Sequence, residues 1–130
     1  MIIKIDFNSD EAIYMQITNQ IILGIANRQI INGDQLPSIR SMADEIGINM
    51  HTVNKAYSVL RQAGYVKLDR RRGAVVSIDM DKLAALQEIR RELTVTLAKA
   101  YCMDVSRAEF HQLVDEIYDN QFRFGRSEEE

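Results

Sequence analysis

Between Asn49 and Lys55 the chain reads Asn-Met-His-Thr-Val-Asn-Lys, which sets amide, imidazole, hydroxyl and ammonium groups beside one thioether. Arg70-Arg71-Arg72-Gly73 adds three guanidinium groups next to a glycine, and Arg40 stands upstream. None of these pairs a nucleophile with a base. What they suit is recognition. Guanidinium and ammonium groups bind phosphate, an Asn amide matches an adenine edge in bidentate fashion, and a thioether can touch a thymine methyl. Residues for covalent or metal chemistry are sparse. The single Cys102 would need a His and a third group beside it and reads as a small buried apolar residue. His51 and His111 lie in separate segments without a Cys/His cluster, so no metal is expected. No P-loop, nucleophile elbow or dinucleotide fingerprint occurs, so neither an enzyme nor a cofactor is expected.

Taken alone, each residue is ordinary. Asn49 would cap any helix, Thr52 and Asn54 are common surface residues, and an arginine run is most often a solvated loop. Their order along the chain carries the meaning, so the flanking elements matter. Ile2-Ile-Lys-Ile-Asp6 alternates weakly and reads as a short strand or an extended arm. Asp10 is a suitable N-cap for the first helix. Ile13, Ile17 and Ile21, with Leu23 and Ile25, predict that helix as amphipathic and running to about Ile31, ended by a left-handed cap at Gly33. Pro37 disfavours helix at Leu36, and Ser38 caps a short second helix with Ile39, Met42, Ala43 and Ile46 on one face and Gly47 as its stop. Asn49 caps a third helix from Met50 to about Ala63. Ile48 and Val53 form a hydrophobic staple there, Val53, Ala56, Tyr57, Leu60 and Ala63 face inward, and Gly64 ends it. Tyr65–Leu68 and Ala74–Ile78 read as strands of a hairpin with the tip Asp-Arg-Arg-Arg-Gly.

From Asp81 to about Met103 a helix without Gly or Pro is predicted, with Leu86, Ile89, Leu93, Leu97, Ala100 and Met103 at heptad-like spacing. Ser106-Arg-Ala-Glu109 is a capping box for a last helix, with Phe110, Leu113, Val114, Ile117 and Tyr118 on one face. Phe122 and Phe124 continue the apolar character, and Arg126–Glu130 reads as a frayed end.

The chain has 130 residues, 46% of them hydrophobic and 27% charged, enough for a real core and unlike a disordered chain. No apolar run approaches the ~20 residues of a membrane span, and the start is too short in apolar residues for a signal peptide. A cytoplasmic protein is the expectation. The net charge of −3 hides an asymmetry. Gln35–Ile78 holds seven bases against three acids, a net +4, and Asp81–Glu130 holds seven against eleven, a net −4.

Short helix, glycine turn, second helix and basic hairpin together make a winged helix-turn-helix. The first turn of a recognition helix enters the major groove, which explains its polar start. The expected fold is mainly α with a small β-hairpin: a winged helix-turn-helix domain over residues 1–79 and a two-helix C-terminal dimerisation module over residues 80–130. The expected DNA-binding set is Ser38, Arg40, Asn49, Met50, His51, Thr52, Asn54, Lys55, Arg70, Arg71, Arg72 and Gly73. Asn49 and Thr52 suit phosphates, His51 and Asn54 base edges, Arg40 the DNA backbone or a guanine, and Arg70, Arg71 and Arg72 the minor groove. The expected dimer interface is Leu86, Ile89, Leu93, Leu97, Ala100, Phe110, Leu113, Val114 and Ile117. The alternative is that these helices fold back on the first domain. A two-fold dimer would set two recognition helices about 34 Å apart on a palindromic site. An effector, if there is one, could sit near Tyr101, Phe110 or Tyr118. The competing function is a helix-turn-helix used for protein contact without specific DNA binding.

Residues about 10 to 78 resemble the GntR-type transcription regulators. The matching pieces are Gly33-Asp-Gln-Leu-Pro-Ser-Ile-Arg40 for "G-x-x-LPS-x-R", Ala43 to Gly47 for "A-x-x-x-G", Thr52 to Gly64 for "TV-x-x-AY-x-x-L-x-x-x-G", and Arg72-Gly73 with Val76 for the wing "R-G-x-x-V". Tyr14-Met-Gln-Ile17 suits the opening "Y-x-Q-I". Most members carry Ser-Arg or Thr-Arg where this chain has Asn49-Met50, and in that respect it is similar to the YtrA-like branch, where "N-x-x-TV-x-K-AY" is usual. The resemblance implies that Arg40, Asn49, Met50, His51, Thr52, Asn54, Arg72 and Gly73 occupy DNA-contacting positions. It also implies a short dimerising tail, and repression of a nearby operon, often one encoding an ABC transporter.

Overall fold

The computed structural model describes residues 2–79 and 81–122. The chain divides into two compact units, Met1–Asp79 and Met80–Glu130. Phe124 and the stretch 126–130 lie outside the described residues.

The first unit contains α1 (Ile13–Ala26), α2 (Ile39–Ile46), α3 (Met50–Gln62) and an antiparallel hairpin of β1 (Val66–Asp69) and β2 (Gly73–Val76). Val66 pairs with Val76 and Asp69 with Gly73. The segment before α2 runs along the other edge of β2. Gly33 N–H donates to Val76 O, Val76 N–H to Asp34 O, and Leu36 N–H to Ala74 O. The core gathers Ile17 and Ile21 from α1, Met42 from α2, Val53, Ala56 and Leu60 from α3, and Val66 and Val76 from the hairpin, closed by Ile30 and Leu36. Ile39, Ile46 and Ile48 pack against it half-buried, and Ala63 is exposed rather than inward.

Three sequence expectations change here, and one open alternative is resolved. The first helix stops at Ala26, not Ile31, and Arg28 takes φ +67° just beyond it. The reason is packing. Ile30 turns back over Gly24, its N–H bonding Gly24 O, and a Cβ on Gly24 would come within 2.8 Å of Ile30 Cδ1. The apolar rhythm therefore continues to Ile30, but from a turn; Leu23, on the outer side, is exposed. Gly33 has φ +97° where the chain enters the lane beside β2, and so does not cap the helix. Asp10 is no cap either. The N-cap is Ala12 without a side-chain bond, because turns built on Asp6 and Ser9 carry the chain past Asp10. Residues 2–6 form an arm rather than a strand. Gln20 exchanges two hydrogen bonds with the Lys4 backbone, and buried Gln16 does the same with Asp6 while also donating to Glu11 O.

The α2–turn–α3 stretch follows local chemistry closely. Ser38 Oγ accepts from Ser41 N–H, Gly47 is left-handed at φ +82°, and Asn49 Oδ1 accepts from Thr52 N–H. Beyond α3, Tyr65 N–H returns to Leu60 O across left-handed Gly64. Tyr57 is buried, and its hydroxyl donates to Pro37 O at 2.7 Å. Burial, and then the Glu45 carboxylate, push its ionisation upward, so it stays a donor. Tyr57→Phe leaves the Pro37 carbonyl without that partner, and about 1–2 kcal/mol of stability is expected to go, read as a lower urea midpoint at unchanged slope.

The second unit contains α4 (Lys82–Cys102) and α5 (Arg107–Gln121). Asp81 caps α4 through Leu83 N–H, and Ser106 and Glu109 close the capping box at α5. Hydrogen bonds from the Ser106 N–H and then its hydroxyl hold the Glu109 carboxyl below its ordinary pKa. The turn between them runs through Asp104 at φ +64°, with Val105 N–H bonding Ala100 O. Neither helix contains a buried residue. Cys102, expected inside, is exposed, because α4 ends there without any core to enter.

Candidate nucleic-acid interface

Two hydrogen bonds set the frame. The Leu36-Pro37 step that leads into α2 is tied to α3 by Tyr57 Oη to Pro37 O, and to the hairpin by Leu36 N–H to Ala74 O. The start of α2, the body of α3 and the hairpin thus share one anchor, and the donor-bearing residues ride on it.

At α2, Ser38 and Arg40 are exposed, and the Ser38 oxygen is already a cap acceptor. At α3, Asn49, Met50, His51, Asn54 and Lys55 are exposed and Thr52 is half-buried. Asn49 Oδ1 accepts both the N–H and the hydroxyl of Thr52. That engages the Thr52 hydroxyl and leaves the Asn49 amide NH2 as the free donor of the pair. Met50 is 48% exposed. Met50 lies one turn before Val53, at the edge of the inward stripe of α3, so its thioether is part covered and part presented at the helix start. Lys55 Nζ lies 4.1 Å from the centroid of the Tyr14 ring, at the start of α1.

The wing tip is built by Asp69. Its Oδ1 accepts the N–H groups of Arg71 and Arg72, and those two bonds hold its carboxyl below the ordinary aspartate value. Gly73 sits at φ +76°, a conformation an L side chain resists. Arg70 and Arg71 are exposed. Arg72 is tied back instead, donating to Gly33 O at 3.3 Å with its Nε 3.7 Å from Asp69 Oδ2. Among the described residues, two guanidinium groups are thus free at the tip, and one braces the wing against the lane before α2.

Residues 10–76, just over half of the chain, match the model of the bacterial regulatory proteins of the gntR family. The chain belongs to the GntR family. The HTH-type transcriptional repressor YtrA of Bacillus subtilis (strain 168) is 30% identical over 118 residues, spanning 88% of this chain and 91% of that protein. Among solved structures, YtrA from Sulfolobus acidocaldarius, a GntR-family transcription factor, is 40% identical with a TM-score of 0.65 over 78% of this chain and 99% of that one. A transcriptional antiterminator from Listeria monocytogenes EGD-e is 29% identical with a TM-score of 0.84, covering 98% and 96% of the two chains. This GntR chain is therefore a YtrA-like transcriptional regulator with a winged-helix DNA-binding unit, and not an enzyme.

Other residues of this GntR unit act on the site without having been singled out by sequence. Asp69 looked like one acid among bases, yet it shapes the tip. Tyr14 matched only an opening motif, yet it holds Lys55. Asp-x-Arg spacing at a hairpin tip is the one local signal that could have found Asp69. Among the described residues, no helix is long and apolar enough to cross a membrane, and no group of His, Cys, Asp and Glu is placed to hold a metal ion.

In the second unit, Leu86, Ile89, Leu93 and Leu97 are exposed along one side of α4, with half-buried Ala100 continuing the row. Leu86, Ile89, Leu93 and Leu97 make up half of the lining of an open groove of about 630 Å³, with Leu83, Gln87, Arg90 and Thr94 making up the rest. On α5, Leu113 and Ile117 are exposed, and Phe110 and Val114 half-buried.

Proposed function

We propose that this regulator is a homodimeric repressor that binds a palindromic operator and controls a neighbouring operon, of the kind that encodes an ABC transporter. Its place of work is then the cytoplasm. The observation that carries the reading is the shared anchor at Leu36-Pro37, which braces two capped helix starts and a basic wing while Arg40, His51, Asn54, Arg70 and Arg71 stay exposed. Helix N-termini with free N–H groups bind phosphate, and exposed polar side chains on the first turns of α3 reach base edges. Residues 1–79 would be the DNA-binding domain and residues 80–130 the dimerisation module, with Leu86, Ile89, Leu93, Leu97, Ala100, Phe110, Leu113, Val114 and Ile117 in the seam. The repressor role is supported by the name of the Bacillus relative.

Selection from a random duplex pool with the full chain tests this. An enriched inverted repeat is the expected result. Recovery of unrelated sequences, or no salt-sensitive retention of duplex at all, would leave the protein-contact reading in its place. The recovered site also tests Met50. Removing one thymine methyl by deoxyuridine substitution is expected to weaken binding about three- to five-fold per half-site, roughly the value of one buried methyl group. Met50→Ala should erase that difference, and equal affinities of wild type for both duplexes would remove the assignment.

A further inference from the structure

Lys55 and Tyr14 are 41 positions apart in sequence and meet across α1 and α3. We infer that Tyr14 is a positioning residue for DNA binding, its ring holding the Lys55 ammonium at the α1 edge of the recognition helix, ready for a backbone phosphate. The inference rests on the regulator reading above.

The geometry supports it in three ways. Lys55 lies one turn beyond His51 on the outward face of α3, opposite the row Val53, Ala56, Tyr57 and Leu60, so its head belongs to the face that carries the donors. Its Nζ stands 4.1 Å from the ring centroid, well within cation–π range. No carboxylate forms an ion pair with it among the described residues, so the ring is what orients it and the ammonium keeps its hydrogens for another acceptor. Tyr14 itself is fixed. It is half-buried against the core at the first turn of α1, and its carbonyl accepts from Thr18 Oγ1. A lysine free to sample its rotamers gives up much of that freedom when it meets a phosphate, and a lysine already laid on a ring gives up less. The π face attracts the cation without neutralising it, which a carboxylate in the same place would do.

The test uses the full chain, a 30-base-pair random-sequence duplex, and anisotropy titrations across a salt series. Tyr14→Phe keeps the ring and is expected to match wild type. Tyr14→Leu keeps apolar bulk and is expected to bind about three-fold more weakly per copy, about ten-fold for two copies, with a thermal midpoint lowered by only a few degrees and the protein fully folded at the titration temperature. In a Lys55→Ala background, Tyr14→Leu should cost nothing further. Wild-type affinity in Tyr14→Leu, or an undiminished Tyr14 effect without Lys55, overturns the inference while leaving DNA binding intact. A separate reading needs no DNA: the ring-current shift of the Lys55 side-chain protons should persist in Tyr14→Phe and vanish in Tyr14→Leu, and its absence in wild type overturns the contact. If wild type shows the shift but no salt-sensitive binding to the duplex, the regulator reading fails, and the phosphate role of Lys55 with it.

Discussion

Raising the salt from about 50 to about 200 mM is expected to weaken binding to duplex DNA by roughly ten-thousand-fold. The magnitude comes from counting the free cations within the proposed DNA-binding set. Arg40, Lys55, Arg70 and Arg71 are exposed and carry no ion pair among the described residues, whereas Arg72 is engaged with Gly33 O and Asp69. Four phosphates per copy become about eight in a dimer, and each neutralised phosphate contributes about −0.9 to the slope of log affinity against log salt. A slope near −7 over a four-fold change in salt gives the stated loss. The net −4 of Asp81–Glu130 adds no attraction, so the dependence belongs to the first unit. Replacing Arg70 and Arg71 together by Ala should flatten the slope by three to four, since two charges are lost from each copy. Arg72→Ala should alter the slope much less and loosen the wing instead. A nearly flat salt dependence in wild type, or a larger slope change from Arg72→Ala than from the Arg70/Arg71 pair, would refute this division of the three arginines.

The difference between Arg72 and its neighbours shows where sequence reading stops. Ser38, Gly47, Asn49 and the Ser106–Glu109 box act within three or four residues of themselves, so their roles are written in the local order of residue types, and the structure has them as read. The hairpin and its basic tip were legible for the same reason. The end of α1 was not. Ile30 continues the helical rhythm of Ile13, Ile17 and Ile21, and only its packing over Gly24 reveals that it does so from a turn. The arm at residues 2–6 stays between two readings in the sequence because its partners, the Gln16 and Gln20 amides, are ten and sixteen residues away. Arg72 with Gly33 and Lys55 with Tyr14 are separations of 39 and 41 residues, beyond any local rule. Cys102 failed differently. Apolar spacing said that α4 buries a face, but not that the described unit would leave that face uncovered.

That uncovered face sets the second large expectation, that Leu93→Glu converts the protein to monomers and removes most of its operator affinity. Helices of 21 and 15 residues draw their stability from packing an apolar face, and here no residue of either helix is buried. Leu86, Ile89, Leu93 and Leu97 recur at the spacing of a seam, so a second copy can cover them. Leu93 is 40% exposed, so in a lone chain glutamate there reaches water at little cost. In a two-fold interface the same change buries two unpaired carboxylates, at several kcal/mol, which raises the dimer dissociation constant about a thousand-fold or more. Losing the second head then costs roughly a hundred- to ten-thousand-fold in operator affinity, because binding the second half-site stops being intramolecular. Leu93→Met keeps the volume and should stay dimeric. Sedimentation velocity at micromolar protein reads the first effect and anisotropy on the selected duplex the second. A Leu93→Glu dimer of wild-type strength moves the interface off α4, and a monomer that still binds the full palindrome with wild-type affinity removes the two-headed mechanism.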